Sequence, residues 1–328
     1  MKDVILLADP NSKAWEFAKK IQKYIKDTKE ETVPLYEISI NFFNNSELDI
    51  YVPQNVRKKD IYYIHDSSKF PQEWWVELLL VKDLLFSASV ESITFVLPNI
   101  LYSRQDRKHK SRVPISSRAL ANSISPGLKR IITMDLHSPQ IQNAYPASLP
   151  MDNLYSFPEV VKHLVKNHLT DVSDLVVVSP DSGGVDRVKS FLKRLEVLNE
   201  TSYIKRNYSM ALISKTRSKP GEVSGMQLVG DVSGKDVLII DDIIDTGGTL
   251  CRAAELLKEK GAKKVMCYAT HGIFSKGTEQ LLSHFDVVMT SNTHYREPDS
   301  IEVIDLTSLF AEAIYRAQKG LSISRLFD

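Results

Sequence analysis

The run Val237-Leu238-Ile239-Ile240-Asp241-Asp242-Ile243-Ile244-Asp245-Thr246-Gly247-Gly248-Thr249 decides how this chain folds. Four aliphatic residues read as a buried strand, and two acids stand at its carboxyl end. The glycine pair opens a helix predicted over residues 250–260 and closed by Gly261. Strand, glycine turn and helix in that order make one unit of a parallel α/β sheet. The turn also has a chemical reading. Amides of Asp245, Thr246, Gly247, Gly248 and Thr249 can converge on one phosphate where the helix dipole is positive, and the glycines permit close backbone approach. Asp241 and Asp242 can accept hydrogen bonds from sugar hydroxyls at the sheet edge where α/β folds hold ligands. Together they describe a site for a phosphorylated sugar; the plainer alternative is a strand whose acids merely cap a helix.

Working outward, short aliphatic runs recur at 4–7, 61–64, 93–97, 131–134, 175–178, 265–268 and 286–289, with helical stretches between them. An amphipathic helix is predicted around Trp15, Ala18, Ile21, Gln22 and Ile25, with Asn11 or Ser12 as its N-cap. The next helix opens at Pro71 and is apolar on most of its circumference, which predicts burial in the core or in a subunit interface. Residues 149–157, with Pro150 and polar neighbours, read as a linker, and a last helix is predicted over 307–318. At 328 residues, 43% hydrophobic and 25% charged, the chain has the composition of a two-domain soluble protein. Lysine plus arginine number 42 against 41 acids, so no global field would draw the chain to nucleic acid or a membrane surface, and an anionic ligand must be held locally. Cys251 and Cys267 lack metal-ligand spacing, and with no export signal in view the expected compartment is the cytoplasm.

Four other segments carry chemistry. Tyr102-Ser103-Arg104-Gln105-Asp106-Arg107, with Lys108, Lys110 and Arg112 after it, forms a cationic loop suited to polyphosphate or, more plainly, a solvated basic surface. Met134-Asp135-Leu136-His137 ends a strand with a histidine, a residue more often structural than functional in such places. Ser179-Pro180-Asp181-Ser182-Gly183-Gly184 is a second phosphate-style turn, or an ordinary strand-to-helix connection. Ile213-Ser214-Lys215-Thr216-Arg217, followed by Ser218-Lys219-Pro220-Gly221-Glu222, reads as a mobile loop or an exposed basic hairpin.

The 241–249 segment resembles the ribose phosphate loop shared by type I phosphoribosyltransferases and phosphoribosylpyrophosphate (PRPP) synthetases. The other segments resemble the synthetases over nearly the whole chain. This resemblance implies two tandem type I phosphoribosyltransferase-like (Rossmann-like) α/β domains with mainly parallel sheets, spanning 1–150 and 151–305, and a C-terminal piece at 306–328 that packs back on the first. It implies transfer of the pyrophosphoryl group of ATP to ribose 5-phosphate with Mg2+, in a homo-oligomer of the hexamer-of-dimers type. Carried over residue by residue, ATP would be held by Arg104, Gln105, Asp106, Arg107 and His137, and by Phe43, Asn45 and Glu47 from a neighbouring subunit. Asp241, Asp242, Asp245, Thr246, Gly247, Gly248 and Thr249 would hold ribose 5-phosphate, His137 and Asp181 the metal, and Lys215 and Arg217 the reacting phosphates. Ser322, Ser324 and Phe327 would contribute to a site for regulatory phosphate and ADP.

The chain departs from the family pattern at several positions. Asn45 and Ser46 replace an acid and a glycine, Ser214 and Thr216 replace an acid and an arginine, and Phe86 and Ser87 stand where two arginines are usual. A nucleobase phosphoribosyltransferase and a non-catalytic synthetase-associated subunit are the competing readings. Formation of AMP separates the first from a synthetase, while the retained Lys215 and Arg217 speak against the second.

Overall fold

The computed structural model describes residues 1–328 apart from 2, 171, 202–204, 220–221, 296–299 and 328, and the side chains of 201, 215–219 and 222–224 also lie outside the description. All eight aliphatic runs are strands. They fall into two sheets in two compact units: Met1–Tyr155 with Thr293–Tyr295 and Asp305–Asp328, and Ser156–Asn292 with Arg296–Ile304.

In the first unit, β1 (Val4–Ala8), α1 (Ala14–Lys29), β2 (Leu35–Glu37), β3 (Ser39–Phe42), β4 (Leu48–Tyr51), β5 (Asp60–Ile64), α2 (Pro71–Ser87), β6 (Ser92–Leu97), α3 (Ser116–Ile124), β7 (Arg130–Met134) and β8 (Met151–Leu154) follow in order. Six strands pair in the order β2-β1-β5-β6-β7-β8, every pairing parallel, while β3 and β4 form a separate antiparallel hairpin. One face of the sheet buries Ile5, Leu7, Tyr63, Phe95 and Ile131 with Trp74, Leu78 and Leu120 of α2 and α3. Strands covered on both faces tolerate continuous aliphatic runs, which is why these were readable.

The second unit contains α4 (Phe157–Asn167), β9 (Asp174–Ser179), α5 (Val185–Thr201), β10 (Asn207–Lys219), β11 (Glu222–Val229), β12 (Asp236–Ile244), α6 (Gly248–Glu259), β13 (Lys264–Gly272), α7 (Glu279–His284), β14 (Val287–Ser291) and β15 (Glu302–Ile304). Its seven strands run β11-β10-β9-β12-β13-β14-β15, and only the β10–β11 pair is antiparallel. The strand of the opening motif, β12, lies at the centre and continues four residues beyond the expected 237–240 run, through both acids to Ile244. The last helix, α8 (Thr307–Lys319), belongs to the first unit, where Phe310 meets Phe17 of α1 edge to face at 5.2–5.3 Å, the distance Tyr295 also keeps. No helix among the described residues is long and apolar enough to cross a membrane.

Two expectations are corrected and two take a definite form. The linker predicted at 149–157 contains β8, an edge strand held to β7 through Ile131–Met151 and Met134–Leu154 register pairs. Its Met-Asp-Asn-Leu sequence is too short and polar to signal a strand. Helix α1 has no side-chain N-cap; it follows Lys13, whose amide donates to Asp66 Oδ2 at 3.0 Å, while Ser12 Oγ accepts weakly from Ala14 at 3.3 Å. A carboxylate from another strand end thus does what a local cap was expected to do. Helix α2 buries one face through Trp74, Glu77, Leu78, Val81 and Leu85, while Val76, Leu80 and Phe86 are exposed in the single chain. Of the two readings of 213–222, a mobile loop or a basic hairpin, the backbone of 213–219 and 222 follows the hairpin on the β10–β11 ribbon, with register shifts between Thr216 and Arg217 and between Arg217 and Lys219, and 220–221 lie outside the described residues.

Helix α8 is clamped to α1 by Glu312, which takes hydrogen bonds from Tyr24 (3.1 Å) and Arg316 (3.1 Å) and pairs with Lys29. Burial alone would raise the Glu312 carboxyl, but the bonds from Lys29 and Arg316 outweigh it and hold the group below the ordinary glutamate range. A depressed carboxylate adds stability above its unfolded pKa, and that stability disappears as pH falls through the folded value. We therefore expect Glu312→Gln to cost about 1 kcal/mol at neutral pH and to flatten the loss of stability below about pH 5; melting curves recorded across pH check both.

Candidate active site

The carboxyl ends of β12 and β9 are adjacent, because the two strands pair through Asp236–Leu175 to Ile239–Val178. Asp241 and Asp242 leave β12 side by side, and a single guanidinium spans them: Arg187 Nη1 lies 3.1 Å from Asp241 Oδ1 and Nη2 lies 3.1 Å from Asp242 Oδ1. The Asp242 amide also donates to Asp241 Oδ1 at 2.9 Å. Burial and the neighbouring Asp242 charge push the Asp241 carboxyl upward, with Arg187 opposing them. Asp242 is almost fully buried, while a quarter of the Asp241 side chain remains exposed, so Asp241 is the one of the pair that faces solvent.

Beyond Ile244 the chain turns through Asp245, Thr246 and Gly247 into α6. Gly247 has φ +77 and a Cβ there would stand 3.0 Å from Leu281, so this position needs glycine on both counts. The first helical bond runs from Cys251 to Gly247 at 3.0 Å; the amides of Gly248, Thr249 and Leu250 precede it and form the positive end of the helix. Asp245 is braced from behind by Ser275, whose hydroxyl donates to Asp245 Oδ1 at 2.6 Å and whose amide donates to its carbonyl at 3.1 Å. The turn is thus braced at Asp245 and at Gly247 where it enters the positive end of α6.

Just after β9, Asp181 caps its own turn: Oδ1 accepts from the amides of Gly183 (3.0 Å) and Gly184 (3.2 Å), and Ser179 Oγ donates to its carbonyl at 2.6 Å. A Cβ at Gly184 would be 2.7 Å from that hydroxyl. The ribbon β10–β11 borders β9, setting the backbone of Lys215 opposite Met226 and that of Arg217 opposite Val223. The side chains of Lys215 and Arg217 lie outside the described residues.

In the first unit, the cationic loop follows β6. Arg104, Gln105 and Arg107 are exposed and Asp106 is half-buried. The loop is anchored to α3, where Ser117 donates from its amide (3.3 Å) and hydroxyl (3.2 Å) to the Gln105 carbonyl, and Ser116 Oγ donates to Gln105 Oε1 at 2.5 Å. The exposed His137 follows Asp135, which has φ +39, and β8 pins this turn: Asp135 N donates to Leu154 O at 2.9 Å and Leu136 N to Asn153 Oδ1 at 3.1 Å. At the tip of the β3–β4 hairpin, Phe43 N donates to Glu47 O at 2.8 Å and Asn45 Oδ1 accepts from the Glu47 amide at 3.2 Å. Ser46 takes φ +68 where the family pattern has glycine, and both Phe42 and Phe43 are more than half exposed.

Near the C-terminus, Ser322 and Ser324 share a hydrogen bond of 2.8 Å and line a cleft of about 380 Å³ with Arg130, Asp152 and Arg316. Phe327 does not line it; its ring packs edge to face on Tyr155 at 5.2 Å. Phe86 lies across Gly127, so close that a Cβ there would be 1.9 Å from Cζ.

Two residues with roles in this arrangement were not singled out in the sequence. Arg187 sits in the first turn of α5, where a cation opposes the helix dipole, and that mismatch was the available signal. Ser275 carried no comparable signal, since its partner comes from 30 residues away.

Residues 150–308 match the phosphoribosyl transferase domain, which sets the second unit in the class of phosphoribosyl-handling α/β domains. Residues 7–126 match the N-terminal domain of ribose phosphate pyrophosphokinase. The chain belongs to the ribose-phosphate pyrophosphokinase family, as its relatives bear out along their length. It is 36% identical over 319 residues to the ribose-phosphate pyrophosphokinase of Cereibacter sphaeroides (95% of this chain, 91% of that one). It is 39% identical over 304 residues to that of Agrobacterium fabrum (90% and 93%). The crystal structure of phosphoribosylpyrophosphate synthetase from Mycobacterium smegmatis superposes with a TM-score of 0.81 at 30% identity, covering 97% of this chain and 99% of that one.

Arg187→Met removes the cation that opposes the upward push on Asp241. We expect the Asp241 carboxyl to titrate at still higher pH in this variant, which carboxyl-carbon NMR followed across pH would detect.

Proposed function

We propose that this protein transfers the β,γ-pyrophosphoryl group of ATP to the C1 hydroxyl of ribose 5-phosphate, yielding PRPP and AMP. The observation that carries this reading is the paired-acid strand end running into a braced glycine turn, within a full-length family match. The amides of residues 245–249 receive the 5-phosphate, and Asp241 and Asp242, oriented by Arg187, accept from ribose hydroxyls. In the first unit, Arg104, Gln105, Asp106, Arg107 and His137 address the nucleotide. Phe43, exposed at its hairpin tip, stacks on the adenine of a neighbouring subunit, with Asn45 and Glu47 beside it, in a homo-oligomer.

The reaction breaks the bond between the α,β-bridging oxygen and the β-phosphorus as the C1 oxygen attacks that phosphorus in line. AMP leaves with the bridging oxygen, and the proton of the C1 hydroxyl is lost to solvent or a nearby base. Such a step depends on positioning and on balancing charge rather than on a covalent nucleophile. Lys215 and Arg217 supply cationic charge to the reacting phosphates.

A divalent metal of the Mg2+ type fits the donors in part. Asp181 offers hard oxygen, although its Oδ1 already serves two amides, and the imidazole of His137 is better suited to metal-bound water or phosphate than to direct ligation. When bound, such an ion neutralises polyphosphate oxygens.

The direct test is incubation with ATP, ribose 5-phosphate and Mg2+, with AMP and PRPP followed by chromatography. We expect equimolar formation of the two, a fall in kcat on the order of 100-fold or more in Lys215→Ala, and a raised KM for ribose 5-phosphate in Asp241→Asn. Consumption of PRPP that depends on an added nucleobase, without AMP, would instead identify a transferase.

Phe86 leads to a second expectation. It packs on Gly127 where the usual family pattern has an arginine, so an anion bound beside this residue lacks that charge-assisted partner. Activity titrated with inorganic phosphate should rise only shallowly, and Phe86→Arg should steepen it.

A further inference from the structure

We propose that His163, His168 and Glu302 form a binding site for a borderline divalent cation of the Zn2+ class, on the flank of the second unit and independent of the catalytic reading above. Among the described residues they are the one group of three or more metal-ligating side chains whose ligand atoms all fall within 4.8 Å of one another. His163 Nε2 lies 2.7 Å and His168 Nε2 2.8 Å from the same atom, Glu302 Oε2.

The convergence is a product of the fold. Residues five apart on an ideal helix point roughly 140° away from each other, so His163 and His168 would not meet if α4 continued. The helix ends at Asn167 and His168 takes φ −130, which turns its ring back toward His163; the ring centres are 5.9 Å apart. Glu302 arrives from β15, the edge strand, where it is paired with Met289.

A tetrahedral ion with bonds of about 2.0 to 2.1 Å needs its ligand atoms roughly 3.3 Å apart, so the two His–Glu302 contacts need open by only about half an ångström, while the two imidazole nitrogens start within 4.8 Å of each other. Two imidazoles and one carboxylate favour zinc-type ions over magnesium, which prefers oxygen. The Glu302 side chain is 39% exposed, leaving a fourth position to water. Asn167 Nδ2 lies 3.2 Å from His163 Nδ1 and 3.3 Å from Nε2, so this amide must move aside for Nε2 to take the ion. Bound there, the ion would tie the end of α4 to an edge strand that otherwise has one free side.

The test uses tag-free full-length protein in excess Mg2+, titrated with Zn2+ by calorimetry and with Co2+ by visible absorption. We expect one equivalent of Zn2+ that Mg2+ does not displace, an intense four-coordinate Co2+ spectrum, and binding weakened at least about tenfold in His163→Gln, His168→Gln and Glu302→Gln. Absence of the Co2+ bands in the unmodified protein would overturn the proposal without recourse to any variant. Zn2+ binding that survives in all three variants, folded by circular dichroism, would overturn it equally, by assigning the ion elsewhere.

Discussion

Two neighbouring carboxylates held by one guanidinium are the constraint around which the second unit is built. Asp241 and Asp242 would repel each other at the end of a buried strand, and Arg187 makes their coexistence possible with one bond to each. For Arg187 to reach them, α5 must begin within a short turn of β9, here residues 180–184, and β9 must lie directly against β12. The turn that starts α5 is therefore as tight as its glycines permit, with Asp181 folded back on the amides of Gly183 and Gly184. Sheet order, turn geometry and electrostatics are here one arrangement rather than three.

The same economy governs charge elsewhere. With a formal net charge of +1, the chain offers no general attraction to anions. Its positive potential is gathered locally: on the exposed arginines of the loop after β6, and on the amides that open α6. Backbone amides need no counter-ion and lose no side-chain entropy when a phosphate arrives, whereas the arginines reach farther and can fork on oxygens. The turn into α6 is held in shape by Leu281 behind Gly247 and by Ser275 behind Asp245.

Much of this was legible in the sequence because buried parallel strands leave continuous aliphatic runs and the glycine turn sits at a fixed place beside one. What was hidden had little hydrophobic signal of its own. Strand β8 is four residues long and β15 three, and both are edge strands whose identity comes from a neighbour. The ribbon β10–β11 carries Ser214, Lys215, Thr216, Arg217, Ser218 and Lys219 in a row, so a turn with proline and glycine dominated its reading. Helix α1 starts on a carboxylate from Asp66, a partner no local window contains. At the site, residue types on strand ends could be anticipated, but Arg187 and Ser275 act through contacts spanning 54 and 30 residues, which only the folded chain reveals.

The first unit draws on three separate stretches of chain, the last of them Asp305–Asp328, whereas nearly all of the second lies between. During synthesis on the ribosome, the apolar stripe of α1, with Phe17, Ala18 and Ile21, emerges almost three hundred residues ahead of Phe310 and Ile314, which cover it. The later sheet can close while the earlier one still waits for its final helix. Nascent chains of this protein therefore expose a sticky helix until α8 has been synthesised, a period in which chaperone capture or association with another nascent copy competes with completion of the fold.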